Sequence, residues 1–144
     1  MNFEEHAGKA LLRAAGIQTP QGELARTAAD AKRVAAALGP CVVKAQVPTG
    51  KRGKAGGIRL AATPTEAQAV AAEILKLRIG EYDVSHLLVE AQVPIVHEMY
   101  AAALNDPASK GPLLLFSADG GMDIEDLAMQ RPEYLVRVEI GQQE

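Results

Sequence analysis

Residues 44–59 run Lys-Ala-Gln-Val-Pro-Thr-Gly-Lys-Arg-Gly-Lys-Ala-Gly-Gly-Ile-Arg, placing five cations, Lys44, Lys51, Arg52, Lys54 and Arg59, in one stretch without an acid. Gly50, Gly53, Gly56 and Gly57 are interleaved with them. Glycine lets consecutive backbone N–H groups turn toward one anion, and Lys and Arg beside them neutralise phosphate charge. A strand, a glycine loop and a second strand would make a flexible flap over a triphosphate. Two better-known phosphate motifs do not apply. A P-loop needs Gly-Lys-Ser/Thr entering a helix, but Gly50-Lys51 is followed by Arg52 and leads toward a strand. The dinucleotide fingerprint needs G-x-G-x-x-G opening a helix, and the spacing here is G-x-x-G-x-x-G. No aromatic residue lies between Lys44 and Arg59, so a nucleic-acid reading lacks a stacking platform. The loop alone therefore indicates an anion, phosphate included, with a solvated basic hairpin as the alternative.

Other reactive residue types are scattered. His6, His86 and His97 share no ligand spacing, so the sequence assigns them neither zinc nor catalysis. Cys41 opens an apolar run and is read as core. Asp123, Glu125 and Asp126 fall in the first turn of an expected helix, where acids offset its dipole, so with Asp119 they are not read as a metal site. Met122 and Met129 are read as core or interface filler, and Glu90 and Glu98 on their own as ordinary strand residues.

The elements that must position these groups alternate between helix and strand. Helices are expected over 3–15, 28–38 behind a Thr27 cap, 65–77 behind Thr63-Pro64, and 122–129. Strands are expected over 41–45, 58–61, 87–91 and 134–140, with a hairpin pairing 97–104 with 113–118 around Asn105-Asp106-Pro107. The fold class is α/β. The 144 residues are 48% hydrophobic and 23% charged, enough apolar material for a core. The net charge of −3 argues against a wholesale polyanion binder. One cysteine excludes an internal disulfide framework, and no apolar run approaches the roughly 20 residues of a membrane helix. A cytoplasmic chain that contacts neither nucleic acid nor membrane is expected.

With its neighbours the loop becomes specific. The string from Val42 to Ile58, Val-Val-Lys-Ala-Gln-Val-x-x-Gly-x-Arg-Gly-Lys-Ala-Gly-Gly-Ile, resembles the ATP-grasp region of the succinyl-CoA synthetase (ADP-forming) β-subunit family. That family includes malate–CoA ligase β and the ATP-citrate lyase and citryl-CoA synthetase relatives. Residues 2–12, 16–22, 88–91, 97–100 and 120–125 extend the resemblance in order along essentially the whole chain. It implies an ATP-grasp fold over 1–144, truncated, with a small lobe at about 20–91 and second-lobe segments at 1–19 and 92–144.

The resemblance also implies roles. Lys44 contacts nucleotide phosphates, and Lys51, Arg52 and Gly53 belong to the flap over them. Glu90 and Val93 form the hinge whose backbone reads adenine, and Glu98 holds the ribose hydroxyls. The cofactors are ATP or ADP with Mg²⁺, whose ligands lie downstream of Glu144. The partner is an α subunit carrying the CoA site and a phosphohistidine. The activity is acid–CoA ligation in the tricarboxylic acid cycle, with succinate favoured and malate or citrate next. This fragment holds no catalytic residue and is inactive alone. The loop departs from the family at Lys51, where a small residue is common, and at Pro48, where His is frequent. Other readings are a stand-alone non-catalytic nucleotide-binding or regulatory module, and a basic-loop interaction module.

Overall fold

A computed structural model describes residues 3–108, 110–120, 128–129 and 131–140. The chain divides into two compact units, Met1–Val93 and Pro94–Glu144.

The first unit is built on an antiparallel four-stranded sheet of order β1-β6-β2-β3, where β1 is Gly22–Ala25, β2 Cys41–Ala45, β3 Ile58–Ala61 and β6 Leu87–Ala91. Cys41, Val43 and Ala45 of β2 oppose Ala91, Val89 and Leu87 of β6, so their side chains share one face. Helices α2 (Ala28–Leu38) and α3 (Pro64–Ile74) supply Ala31, Val34, Ala35, Ala67, Val70, Ala71 and Ile74 to the same core. Small alanines let helices and sheet approach closely, which suits a sequence with 3% aromatics.

Local signals fix the two helix starts. Thr27 Oγ1 accepts the Asp30 N–H at 3.1 Å and the Asp30 carboxylate accepts the Thr27 N–H at 3.1 Å, a complete capping box. Thr63 Oγ1 accepts the Glu66 N–H at 3.2 Å, with Pro64 opening α3. Helix α1 (Glu5–Ala14) has no side-chain cap from Glu4. A long-range group replaces it: buried Gln46 accepts the His6 N–H at 3.0 Å.

Several boundaries differ from the sequence reading. Strand β1 and the small hairpin β4 (Arg78–Ile79) with β5 (Tyr82–Asp83) were not expected; each is too short to carry a periodic signal. Helix α3 ends at Ile74 and its next residues turn toward β4. Helix α1 belongs to the first unit, where its Glu5 and Lys9 pair with Lys44 and Glu90.

The second unit holds a three-stranded antiparallel sheet, β7 (Tyr100–Asp106), β8 (Gly111–Ser117) and β9 (Val136–Glu139). The β7–β8 hairpin forms, but Asn105 and Asp106 pair with Pro112 and Gly111 inside the ladder, so the turn shifts past them. A short 3-10 turn, Pro132–Tyr134, occupies the start of the expected last strand. The helix expected over 122–129 and its acids Asp123, Glu125 and Asp126 lie outside the described residues, apart from positions 128–129. Among the described residues no helix is long and apolar enough to cross a membrane.

Candidate functional site

The β2–β6 register decides which charged residues meet. Val42 opposes Glu90 and Lys44 opposes Leu88, so Lys44 and Glu90 are diagonal neighbours on the sheet face opposite the core residues of β2. Gly22 opposes Glu90 from the other side. A Cβ on Gly22 would stand 3.0 Å from the Val89 carbonyl and 3.2 Å from Glu90 Cβ, so the bare glycine leaves room for the close pairing.

Lys44 Nζ donates to Glu90 Oε2 at 2.7 Å and to Glu5 Oε1 at 2.9 Å. Lys9 contacts Glu90 Oε1 and lies 3.1 Å from Glu5 Oε1. Arg52, arriving from the loop, places Nη2 3.1 Å from Glu5 Oε2 and donates through Nη1 to the Ala45 carbonyl at 3.0 Å. Glu90 is only 3% exposed. A carboxylate that deep costs several kcal/mol unless it is paired, which explains why both lysines converge on it. Three cations (Lys9, Lys44, Arg52) against two carboxylates (Glu5, Glu90) leave one positive charge in surplus.

The cluster shifts its own titrations. Burial pushes the Glu5 carboxyl up, but hydrogen bonds and charge from Lys44 and Lys9 outweigh it and lower the group from 4.5 to about 2. Burial pulls the Lys44 ammonium down, and its bonds to Glu90 and Glu5 more than reverse that, holding it above the usual lysine value. Lys44 is thus a fixed cation at neutral pH.

The loop from β2 to β3 folds back on itself. Gly57 donates to the Arg52 carbonyl at 2.8 Å and Ala45 to the Gly57 carbonyl at 2.7 Å. Gly56 adopts φ +75°, and Lys51 adopts φ +62°, a left-handed geometry that costs a side-chain-bearing residue about 1 kcal/mol. Lys51 therefore sits at some conformational expense. Beside Glu5 and Arg52 opens a cavity of about 630 Å³, lined also by Phe3, Val47, Pro48, Thr49 and Gly50. Cations, glycine amides and a cavity in one place fit an anionic ligand with several oxygens.

Of the residues singled out from the sequence, Lys44, Arg52 and Glu90 meet in this cluster. Lys51 and Gly53 lie in the exposed turn of the loop, where Lys51 accepts from Ala55 and Gly53 from Gly56. Glu90 gives its backbone to the ladders with β1 and β2, and the pairing runs on through Ala91 N–H to Gln21 and Gln92 N–H to Pro40. Val93, the residue after these bonds, is half-exposed. Glu98 is exposed in the second unit, where its carbonyl accepts the Gly120 N–H at 2.9 Å. Sequence reasoning missed Glu5, Lys9 and Gln46, whose partners lie between 39 and 81 positions away. Cys41 is buried as expected, and burial pushes its thiol up, away from nucleophilic character.

A family model described as ATP-grasp domain matches residues 2–144. The chain is 45% identical over 142 residues to the ADP-forming succinate–CoA ligase subunit β of Methanothermobacter thermautotrophicus, covering 98% of this chain and 39% of that protein. It is 44% identical over 134 residues to the GDP-forming succinate–CoA ligase subunit β of Thermus thermophilus, covering 92% and 35%. It thus spans well under half the length of these curated relatives. Among solved structures, a dinucleotide-forming acetyl-coenzyme A synthetase of Ca. Korarchaeum cryptofilum, in complex with coenzyme A and Ca-AMPCP, superposes with a TM-score of 0.81. It has 22% identity and matches 99% of this chain and 62% of that one. ATP citrate lyase from Methanothrix soehngenii superposes with a TM-score of 0.71 at 24% identity, over 99% of this chain and 35% of that one. At such identities the two superpositions establish the fold.

Proposed function

The chain belongs to the ATP-grasp domain family, and from that premise we propose that it holds the phosphates of ATP or ADP for an acid–CoA ligase of the succinate–CoA ligase type. The observation that carries this reading is Lys44, aimed from a strand into a cluster with surplus positive charge at the root of a glycine- and cation-rich loop. Lys44 and Arg52 would meet phosphate oxygens, with Glu5 yielding their N–H groups as the anion enters. Lys51, Gly53 and the amides of the loop would close over the phosphates. Val93, beside Glu90, would read the adenine edge, and Glu98 would bind the ribose hydroxyls.

The bound nucleotide supplies the phosphoryl group that activates a carboxylic acid for thioester formation. Mg²⁺ would accompany the nucleotide phosphates. The proposed partner is an α subunit carrying the CoA site and a phosphohistidine. Succinate is the proposed acid, with malate or citrate next, and the names of the 44–45% identical relatives support the first.

The alternative of a basic contact loop is weakened for nucleic acid because Arg59 is matched by Glu73 and no aromatic residue between Lys44 and Arg59 offers a stacking platform. The test is thermal melting with millimolar MgATP or MgADP at moderate salt, then thioester assays with an α subunit and a β chain of the relatives' full length. Stabilisation by nucleotide and succinate-dependent thioester formation are expected. Unchanged melting, with steeply salt-dependent oligonucleotide binding instead, would overturn the reading.

A further inference from the structure

A second set of polar side chains gathers around the residues that flank Glu5. His86 Nε2 lies 2.8 Å from Glu4 Oε2, and His6 Nδ1 lies 3.4 Å from the same oxygen. One donor atom from each residue falls within 4.8 Å of the other two. The imidazoles approach edge to face with centroids 5.7 Å apart. Glu4 and His6 stand together at the start of α1, and His86, 82 positions from Glu4, lies in the segment that enters β6. Their side chains are 15–31% exposed, sheltered yet open to an ion from solvent.

We propose that Glu4, His6 and His86 form a binding site for a divalent transition-metal ion, with Zn²⁺ the best match. Two imidazole nitrogens and one carboxylate oxygen suit zinc, whereas Mg²⁺ and Ca²⁺ call for all-oxygen sets. With metal–donor bonds near 2.0–2.1 Å, tetrahedral donors stand about 3.3 Å apart. The 3.4 Å between His6 and Glu4 already has that spacing. The 2.8 Å between His86 and Glu4 must open slightly, as a hydrogen bond gives way to two metal bonds.

Neighbouring groups can support both states. Ser85 Oγ lies 2.9 Å from His86 Nδ1. By rotating its hydroxyl it can accept Nδ1–H, which leaves the Nε2 lone pair for the ion and fixes the ring. Gln46 Oε1 holds the His6 backbone N–H at 3.0 Å whatever the ring does, and stands 3.3 Å from His6 Nδ1. When the ion binds a neutral ring, the proton on the coordinating nitrogen is exchanged through solvent onto the other ring nitrogen (in His86 onto Nδ1, where Ser85 accepts it), and the freed lone pair bonds the ion; a cationic ring releases one proton to solvent. The fourth position belongs to water or to the Gln46 amide oxygen. Occupied, the site ties the start of α1 to the segment entering β6 and, through Gln46, to the root of the loop. It uses none of the residues proposed to bind the nucleotide and stands whether or not that reading holds.

The test is titration of the purified chain with Zn²⁺ against a chromophoric chelator, and the visible spectrum of the Co²⁺-loaded protein. One equivalent of tight binding, intense tetrahedral Co²⁺ bands and a higher melting temperature with Zn²⁺ are expected. His6→Asn and His86→Asn should abolish all three. His97→Asn, in the second unit, should change none, and Ser85→Ala should weaken binding about tenfold. Far-UV circular dichroism checks folding of each variant, and Glu4→Gln with Ser85→Ala carries the test if a histidine variant does not fold. No stoichiometric binding, or binding that survives loss of these side chains in folded protein, would overturn the proposal.

Discussion

Replacing Glu5 with Gln removes one of the two carboxylates that hold Lys44 and Arg52 in place while keeping the side chain's shape. The folded carboxyl sits at about 2 against 4.5 unperturbed. That difference corresponds to about 3 kcal/mol at neutral pH, at about 1.4 kcal/mol per pH unit. The side chain is 19% exposed, so solvent screening trims this figure without cancelling it. Because the folded value is depressed, the stabilisation is complete above pH 4.5 and is lost as pH falls toward 2. By pH 3 about 2 of the 3 kcal/mol should be gone. Urea unfolding of wild type and Glu5→Gln, with a chelator present, should therefore show a gap of about 2–3 kcal/mol at pH 7 that shrinks to about 1 kcal/mol or less at pH 3. A gap below about 0.5 kcal/mol at pH 7, the scale of an exposed pair, or one that is the same at both pH values, would refute the reasoning.

Two further predictions concern the scaffold and the loop. Thr27→Ala breaks the capping box of α2 and should cost about 1 kcal/mol, read as a lower midpoint in thermal melting; an unchanged midpoint would mean the box contributes nothing. Gly57→Ala places a Cβ 2.7 Å from Ile79 Cδ1, 3.1 Å from the Arg52 carbonyl and 3.2 Å from Ala45 Cβ, so it should cost about 1–3 kcal/mol in urea unfolding and loosen the loop's backbone bonds, as judged by amide exchange.

Features written in local chemistry were legible in the sequence. The Thr27 and Thr63 caps, the breakers at Gly39-Pro40 and the β-branched run at 41–45 each announce their element within a few residues. The motif from Val42 to Ile58 gave Lys44, Arg52 and the loop. What stayed hidden depends on register and distance. Strand β1 is four residues long and becomes a strand only by pairing with β6. Asn105 and Asp106, turn formers by type, are held extended by Pro112 and Gly111 across the ladder. Glu5 and Lys9 are an i,i+4 pair on α1, but no spacing rule links them to positions 44 and 90, which they meet only in the fold. The same holds for Gln46, which caps a helix 40 residues earlier, and for Glu4, His6 and His86.

Calorimetric titration of the wild-type chain and Lys44→Ala with MgADP at fixed moderate salt tests the central claim most directly. The account predicts saturable one-site binding by the wild type, lost in Lys44→Ala, with a smaller loss in Glu98→Ala. Equal MgADP binding by wild type and a folded Lys44→Ala protein, or none by either, would contradict it.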